Sequence, residues 1–167
     1  MNILVTVASK HGATGEIGEA LAATLRASGL SVETTAPESV TSLNRIDAVI
    51  LGSAVYAGRW MESATHFAER FATELADREV WLFSSGPIGD PPKPKEEPQA
   101  TLALAARLGA RGHRSFAGRL DPDQLGFFER TITHALKAPP GDFRDWEAIR
   151  AWSDEIATAL VSQRVPA

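Results

Sequence analysis

The sequence predicts an α/β fold in which a mostly parallel sheet is covered by helices on both faces. Short β-branched and apolar runs alternate with longer segments of helical period, which is the pattern of strands joined by crossover helices. Two of the runs, IDAVILGS and REVWLFSS, are almost continuously apolar, as central strands buried on both sides must be. Glycines stand where helical segments run out, at Gly29 and Gly109.

Taken in order, the strands are expected at residues 2–8, 30–35, 46–52, 79–85 and 113–119. Between the first two, Ile17, Ala20, Leu21, Thr24 and Leu25 recur at helical spacing and predict the first crossover helix, stopped by Gly29. A second helix is expected from Glu62 to about Leu75, with Ala64, Phe67, Ala68, Phe71 and Leu75 on one face. A third is expected from about Pro94 to Leu108, after a proline-rich surface loop, GPIGDPPKPKEEP. The last begins near Asp145, a suitable N-cap, and turns Trp146, Ile149, Trp152 and Ile156 inward. Residues 120–144 exceed a minimal connection, and Phe128, Ile132 and Leu136 there define one face of a short extra helix.

The chain has 167 residues, enough for one domain with a real core, and we expect a single domain over residues 1–167. Its net charge is −4, which disfavours a duplex nucleic-acid partner, because affinity for the phosphate backbone comes from Lys and Arg. It contains no cysteine, which removes disulfides, thiolate metal sites and thiol redox chemistry together. Any electron the protein handles must therefore sit on a bound cofactor. No apolar stretch approaches the roughly 20 residues of a membrane span, and no signal peptide is recognised at the N-terminus, so the expected location is cytoplasmic. His66, His113 and His134 lack paired ligand spacing, and no metal site is expected.

Chemistry is concentrated after the first strand, in ASKHGATGEIGEAL. A loop that enters a helix presents unpaired backbone N–H groups, and the helix dipole adds partial positive charge. Ser9 and Thr14 flank such a corner, Gly12 lets the backbone approach an anion, and Lys10 and His11 add charge or donors. The glycine fingerprint of dinucleotide sites and the P-loop pattern are both missing, so one small phosphate fits better than a nucleoside triphosphate. The alternative is that Ser9 and Thr14 merely cap the helix.

The loop Ser9, Lys10, His11, Gly12, Ala13, Thr14 resembles the phosphate loop of flavodoxins, with His11 standing where a central hydroxyl residue is usual. The resemblance implies a flavodoxin-like three-layer sandwich with a five-stranded parallel sheet, order 2-1-3-4-5, and FMN at the switch point between strands 1 and 3. Further segments, DAVILGSAVYAGRWMESATHFAERF and RDWEAIRAWSDEIA, resemble the menaquinone-dependent protoporphyrinogen dehydrogenases, a flavodoxin-like subgroup.

On that resemblance, Ser53, Ala54, Val55, Tyr56, Ala57, Gly58 and Trp60 form the first flavin loop. Tyr56 and Trp60 are the candidate walls for the ring, and Gly58 turns a peptide toward its edge. Ser84, Ser85, Gly86 and Ile88 form the second loop, which carries no aromatic residue and leaves one face of the flavin open.

Three functions are therefore expected as alternatives. The first is an FMN protein that transfers electrons between a donor and an acceptor not named by the sequence. The second is a protoporphyrinogen IX dehydrogenase that passes electrons to menaquinone, with quinone and porphyrinogen as partners. The third is a flavin-free binding module, motivated by His11 and by the missing second aromatic. The segment around Phe127, Phe128, Ile132 and Leu136 discriminates the second, since an exposed amphipathic helix there would meet a membrane or a quinone tail.

Overall fold

Alternation along the first strand decides the layering. The computed structural model describes residues 1–87, 99–124 and 139–162 of the chain. Strand β1 (Asn2–Ala8) sends Ile3 and Val5 into one apolar cluster and Leu4 and Ala8 into another, because successive side chains of a strand point to opposite faces. Each face then needs its own helical cover.

Helix α1 (Ala13–Ala27) supplies the first cover with Ile17, Leu21 and Leu25. It ends as the sequence predicts. Gly29 takes φ +78°, its N–H donates to Arg26 O, and Leu30 N–H donates to Leu25 O at 3.2 Å, the paired bonds of a Schellman cap. Gly109 ends a later helix in the same way, with Ala110 N–H donating to Ala105 O at 2.9 Å.

Strand β2 (Ser31–Thr35) pairs with β1, and a 3-10 turn follows at Pro37–Ser39. Strand β3 (Ala48–Tyr56) runs four residues beyond the expected end at Gly52 and turns back as β4 (Arg59–Trp60). Helix α2 (Glu62–Arg70) and the short α3 (Ala72–Ala76) divide at Phe71 the single helix expected there. Strand β5 (Glu79–Ser85) lies at the expected residues, and helix α4 (Gln99–Arg107) precedes β6 (Gly112–Phe116).

Two further strands, β7 (Arg119–Leu120) and β8 (Gly141–Asp142), pair with each other. A second 3-10 turn spans Pro122–Gln124. Helix α5 (Trp146–Ser162) closes the described chain, and Asp145 caps it, accepting the Ala148 N–H at 2.9 Å. The expected short helix around Phe127, Phe128, Ile132 and Leu136 lies outside the described residues, as do Ile88, His134 and the expected start of α4.

The principal sheet has the order β2-β1-β3-β5-β6, every neighbouring pair parallel. With β4 counted as the return of a hairpin, this is the expected 2-1-3-4-5 arrangement of five strands, a flavodoxin-like α/β sandwich. Helices α1 and α5 cover one face, where Ile149, Trp152 and Ile156 join Phe83 and Phe116. Helices α2, α3 and α4 cover the other, around Phe67, Leu75, Leu82 and Leu104. The strand order reverses between β1 and β3, so a crevice opens beyond their C-terminal ends, the usual ligand position in such sheets.

Candidate functional site

The corner between β1 and α1 lies at that crevice. Gly12 occupies the N-cap position of α1 with φ +80°, and no side chain caps the helix. Only glycine takes this left-handed conformation without a steric cost. Among the described residues neither Ser9 nor Thr14 makes a side-chain hydrogen bond, so the capping alternative is not realised. Thr14 is buried and Ser9 half-buried. The first N–H groups of α1 are thus gathered with two hydroxyls, a donor set that suits a phosphate.

The hairpin β3–β4 stands beside this corner. Ala57 at φ +49° and Gly58 at φ +72° form its two-residue turn, both in the left-handed region that a twisted hairpin requires. Tyr56 is 40% exposed, with its ring centroid 6.3 Å from that of His11, edge to face, and 5.7 Å from Lys10 Nζ. Lys10 and His11 of the loop after β1 and Tyr56 of the hairpin are therefore neighbours in space.

Trp60 is placed differently from Tyr56. Only 8% exposed, it belongs to the core cluster on the α2 and α4 side. The cause is register: Trp60 pairs with Val55, and cross-strand partners share a face. Its indole N–H donates to Ser84 Oγ at 2.9 Å, and Ser84 Oγ lies 3.0 Å from His113 Nε2. An indole is only a donor, so Ser84 accepts from Trp60 and has its own proton left for the imidazole. This chain ties β4, β5 and β6 together beneath the corner.

Ser53 also serves the root of the hairpin. Its buried hydroxyl accepts the Met61 N–H at 2.9 Å and donates to Ala54 O at 2.8 Å. Ala54 and Ser85 are buried, and Val55 is half-buried. At Gly86 a Cβ would come 3.1 Å from Val55 Cβ and 3.2 Å from its carbonyl oxygen, so the two expected ring loops touch backbone against side chain. Gly86 N–H reaches Phe116 O at 3.4 Å, and Gly118 N–H donates to Pro87 O at 2.7 Å. A groove of about 730 Å³ between α2 and α4 is lined by Trp60 alone of the expected site residues, with Arg59, Glu62, Thr101 and Leu104. Among the described residues no three metal-binding side chains gather, and no helix is long and apolar enough to cross a membrane.

Sequence reasoning missed a charged cluster under the first turn of α1. Arg144, its side chain 3% exposed, donates from Nη1 to Glu16 Oε2 at 2.7 Å and to Ala13 O at 3.1 Å. Its Nε and Nη2 hold the two oxygens of Asp142 at 2.8 and 2.6 Å, and the guanidinium carbon sits 4.4 Å from the Trp146 ring centroid. Arg119 Nη1 lies between the two Glu16 oxygens, 3.1 Å from Oε1 and donating to Oε2 at 3.3 Å. Hydrogen bonding from Arg144 holds both Glu16 and Asp142 below the ordinary carboxylate range, and Asp142 in turn raises Arg144. Ala13 and Glu16 lie more than a hundred residues before Arg119, Asp142 and Arg144 in the chain, and no periodicity or motif marks the group.

The fold agrees with comparison to known proteins. The sequence matches the flavodoxin domain family over residues 4–145, and the chain belongs to that family. No curated protein matches the sequence. Among solved structures, a flavodoxin from the domain Archaea superimposes with a TM-score of 0.65 at 14% identity, covering 96% of this chain and 99% of that one. Oxidised flavodoxin 1 of Bacillus cereus gives 0.64 at 14% identity, covering 95% and 98%. Rubredoxin oxygen:oxidoreductase of Desulfovibrio gigas gives 0.68 at 12% identity over 99% of this chain and 37% of that one.

Proposed function

We propose that this chain is an FMN-binding electron-transfer protein of the flavodoxin type. The observation that carries the reading is the uncapped start of α1, where Gly12 and the hydroxyls of Ser9 and Thr14 meet, next to the exposed Tyr56 of the hairpin. The residues fit the group: backbone N–H donors and hydroxyls suit its phosphate, and an exposed aromatic beside a tight turn suits a flat ring. When bound, the flavin would supply the redox chemistry, which the cysteine-free chain does not supply from thiols.

The division of labour among the residues follows from their placement. Ser9, Gly12, Ala13 and Thr14 would hold the phosphate, with Lys10 and His11 at its edge. Tyr56 would wall the ring, while Ala57 and Gly58 would turn the hairpin peptide toward it. Trp60, through Ser84, fixes the root of that hairpin, so its contribution would be to hold the wall in place. Ser85 and Gly86, backed by Val55, would border the ring on the β5 side.

Titrating the flavin-stripped protein with FMN, riboflavin and FAD, followed by flavin fluorescence, tests this. Tight selection of FMN is expected. Ser9→Ala with Thr14→Ala removes hydrogen bonds to a charged group, about 1.5–3 kcal/mol each, and should weaken FMN at least tenfold more than riboflavin; equal losses would refute the phosphate assignment. Failure of every flavin to bind would favour the flavin-free binding module.

A second reading, protoporphyrinogen IX dehydrogenase with menaquinone as acceptor, is favoured by one feature. The described part of the second ring loop, Ser84 to Pro87, carries no aromatic residue to cover the flavin. Anaerobic oxidation of protoporphyrinogen IX by the FMN-loaded protein with a menaquinone analogue tests it. Reduction of the flavin by the porphyrinogen supports the enzyme, and inertness leaves the carrier.

A further inference from the structure

Beyond the ligand's own contacts, the corner raises an electrostatic difficulty. Glu16 sits in the first turn of α1, where its carboxylate competes with a bound anion for the positive potential of the helix start. The chain answers with two guanidinium groups. Arg144 and Arg119 both bond Glu16 Oε2, with Arg119 also 3.1 Å from Oε1, and Asp142 grips Arg144 from behind through both of its oxygens. The cluster of two acids and two bases is neutral as a unit. Without Arg144 it would carry one negative charge beside the phosphate loop.

We propose that Arg144 is the positioning residue that lets the β1–α1 corner select a phosphate-bearing ligand. It neutralises Glu16 and anchors the first turn of α1 through the Ala13 carbonyl. The inference rests on the FMN reading. Two features separate this role from ordinary core packing. Arg144 bonds directly to the backbone of the expected phosphate loop, at Ala13 O, 3.1 Å. Its partner Glu16 is half exposed, with a side-chain exposure of 48%, so the pair is not needed to satisfy a buried acid. Arg144 touches no substrate. It acts through Glu16 and Ala13.

The test compares the wild-type protein with R144M, E16Q and the double variant. For each, the dissociation constants of FMN and riboflavin are measured at one ionic strength, with thermal unfolding alongside. R144M should cut the FMN-over-riboflavin preference by about tenfold, equivalent to ~1.4 kcal/mol, while riboflavin affinity changes little. Removing the Glu16 carboxylate in R144M/E16Q brings the cluster back to neutrality and should return most of that preference even though stability stays low. A purely structural role would not be rescued in this way.

E16Q alone keeps the Arg144 bonds to Asp142 and Ala13 and should raise the preference for FMN. If R144M does not fold, that single variant decides, and an unchanged or reduced preference overturns the proposal. A wild-type preference for FMN that R144M leaves intact, or that the double variant fails to recover, also overturns it. A wild-type protein with no preference for FMN overturns the FMN reading itself and this inference with it.

Discussion

Gly52 in β3 is the position where adding one methyl group should cost most. A Cβ built there would lie 2.2 Å from Phe83 Cζ, 2.3 Å from Cε1 and 2.8 Å from Cε2, whereas carbon atoms rest about 3.5–4.0 Å apart. The ring must retreat by more than an ångström, and it has nowhere to go. Phe83 is fully buried, and it is boxed in by Phe116 and Trp152 at centroid distances of 6.1 and 6.3 Å, themselves 5.6 Å apart. Overpacking of this kind costs about 1–3 kcal/mol, and three clashing ring atoms put Gly52→Ala at the upper end. The strand gains back about 0.5–1 kcal/mol because alanine loses less backbone entropy than glycine. The expected net loss is about 2 kcal/mol, or a Tm lower by about 4–8 °C for a chain of this size. Urea unfolding of wild type, Gly52→Ala, Phe83→Leu and the double variant measures it. The methyl should cost little once the ring is gone, giving a coupling of more than about 1 kcal/mol. A Gly52→Ala protein within about 0.5 kcal/mol of wild type, or an equal cost in the Phe83→Leu background, would refute the packing argument.

Three other outcomes follow from the site and its supports. Glu16 and Asp142 are held below the ordinary carboxylate range by Arg144, so their stabilisation is present above the unfolded values of roughly 4 and is lost as pH falls through the folded ones. Urea unfolding should therefore show a steep loss below about pH 4 that is weaker in Asp142→Asn; an identical acid slope would remove these carboxylates as its source. Trp60→Phe deletes the bond to Ser84 and should cost about 1–2 kcal/mol, with the loss shared rather than added in Trp60→Phe/Ser84→Ala. Gly58→Ala forces a second alanine into the left-handed turn at φ +72° and should cost about 1–2 kcal/mol, read from the shift in the urea midpoint.

Local signals made much of this architecture readable in the sequence. Strands β1 and β5, the Schellman stop at Gly29 and the Asp145 cap fall where composition and spacing put them, since each depends on residues within one or two turns of chain. Strand β3 outran its expected end at Gly52, a residue whose use within the strand is to admit the Phe83 ring. The hairpin turn went unmarked because Ala57 lacks the Asn or Asp that usually signals positive φ. The corner residues Ser9, Gly12 and Thr14 and the exposed Tyr56 were legible as a group. That Trp60 faces inward was not, since it depends on pairing with Val55. The Arg144 cluster was invisible for a similar reason: its bonds to Ala13 and Glu16 span 131 and 128 residues.

The pairing of Val55 with Trp60 and of Tyr56 with Arg59 also makes the hairpin count in twos. One extra residue between Tyr56 and Arg59 would rotate the return strand by half a repeat, sending the indole into water and the Arg59 guanidinium toward the Ser84 hydroxyl. Two extra residues would lengthen the tip and leave the root intact. Grafts or natural insertions at this turn should therefore survive in even lengths and fail in odd ones, which gives a designer a simple way to vary the rim of the crevice without disturbing the sheet beneath it.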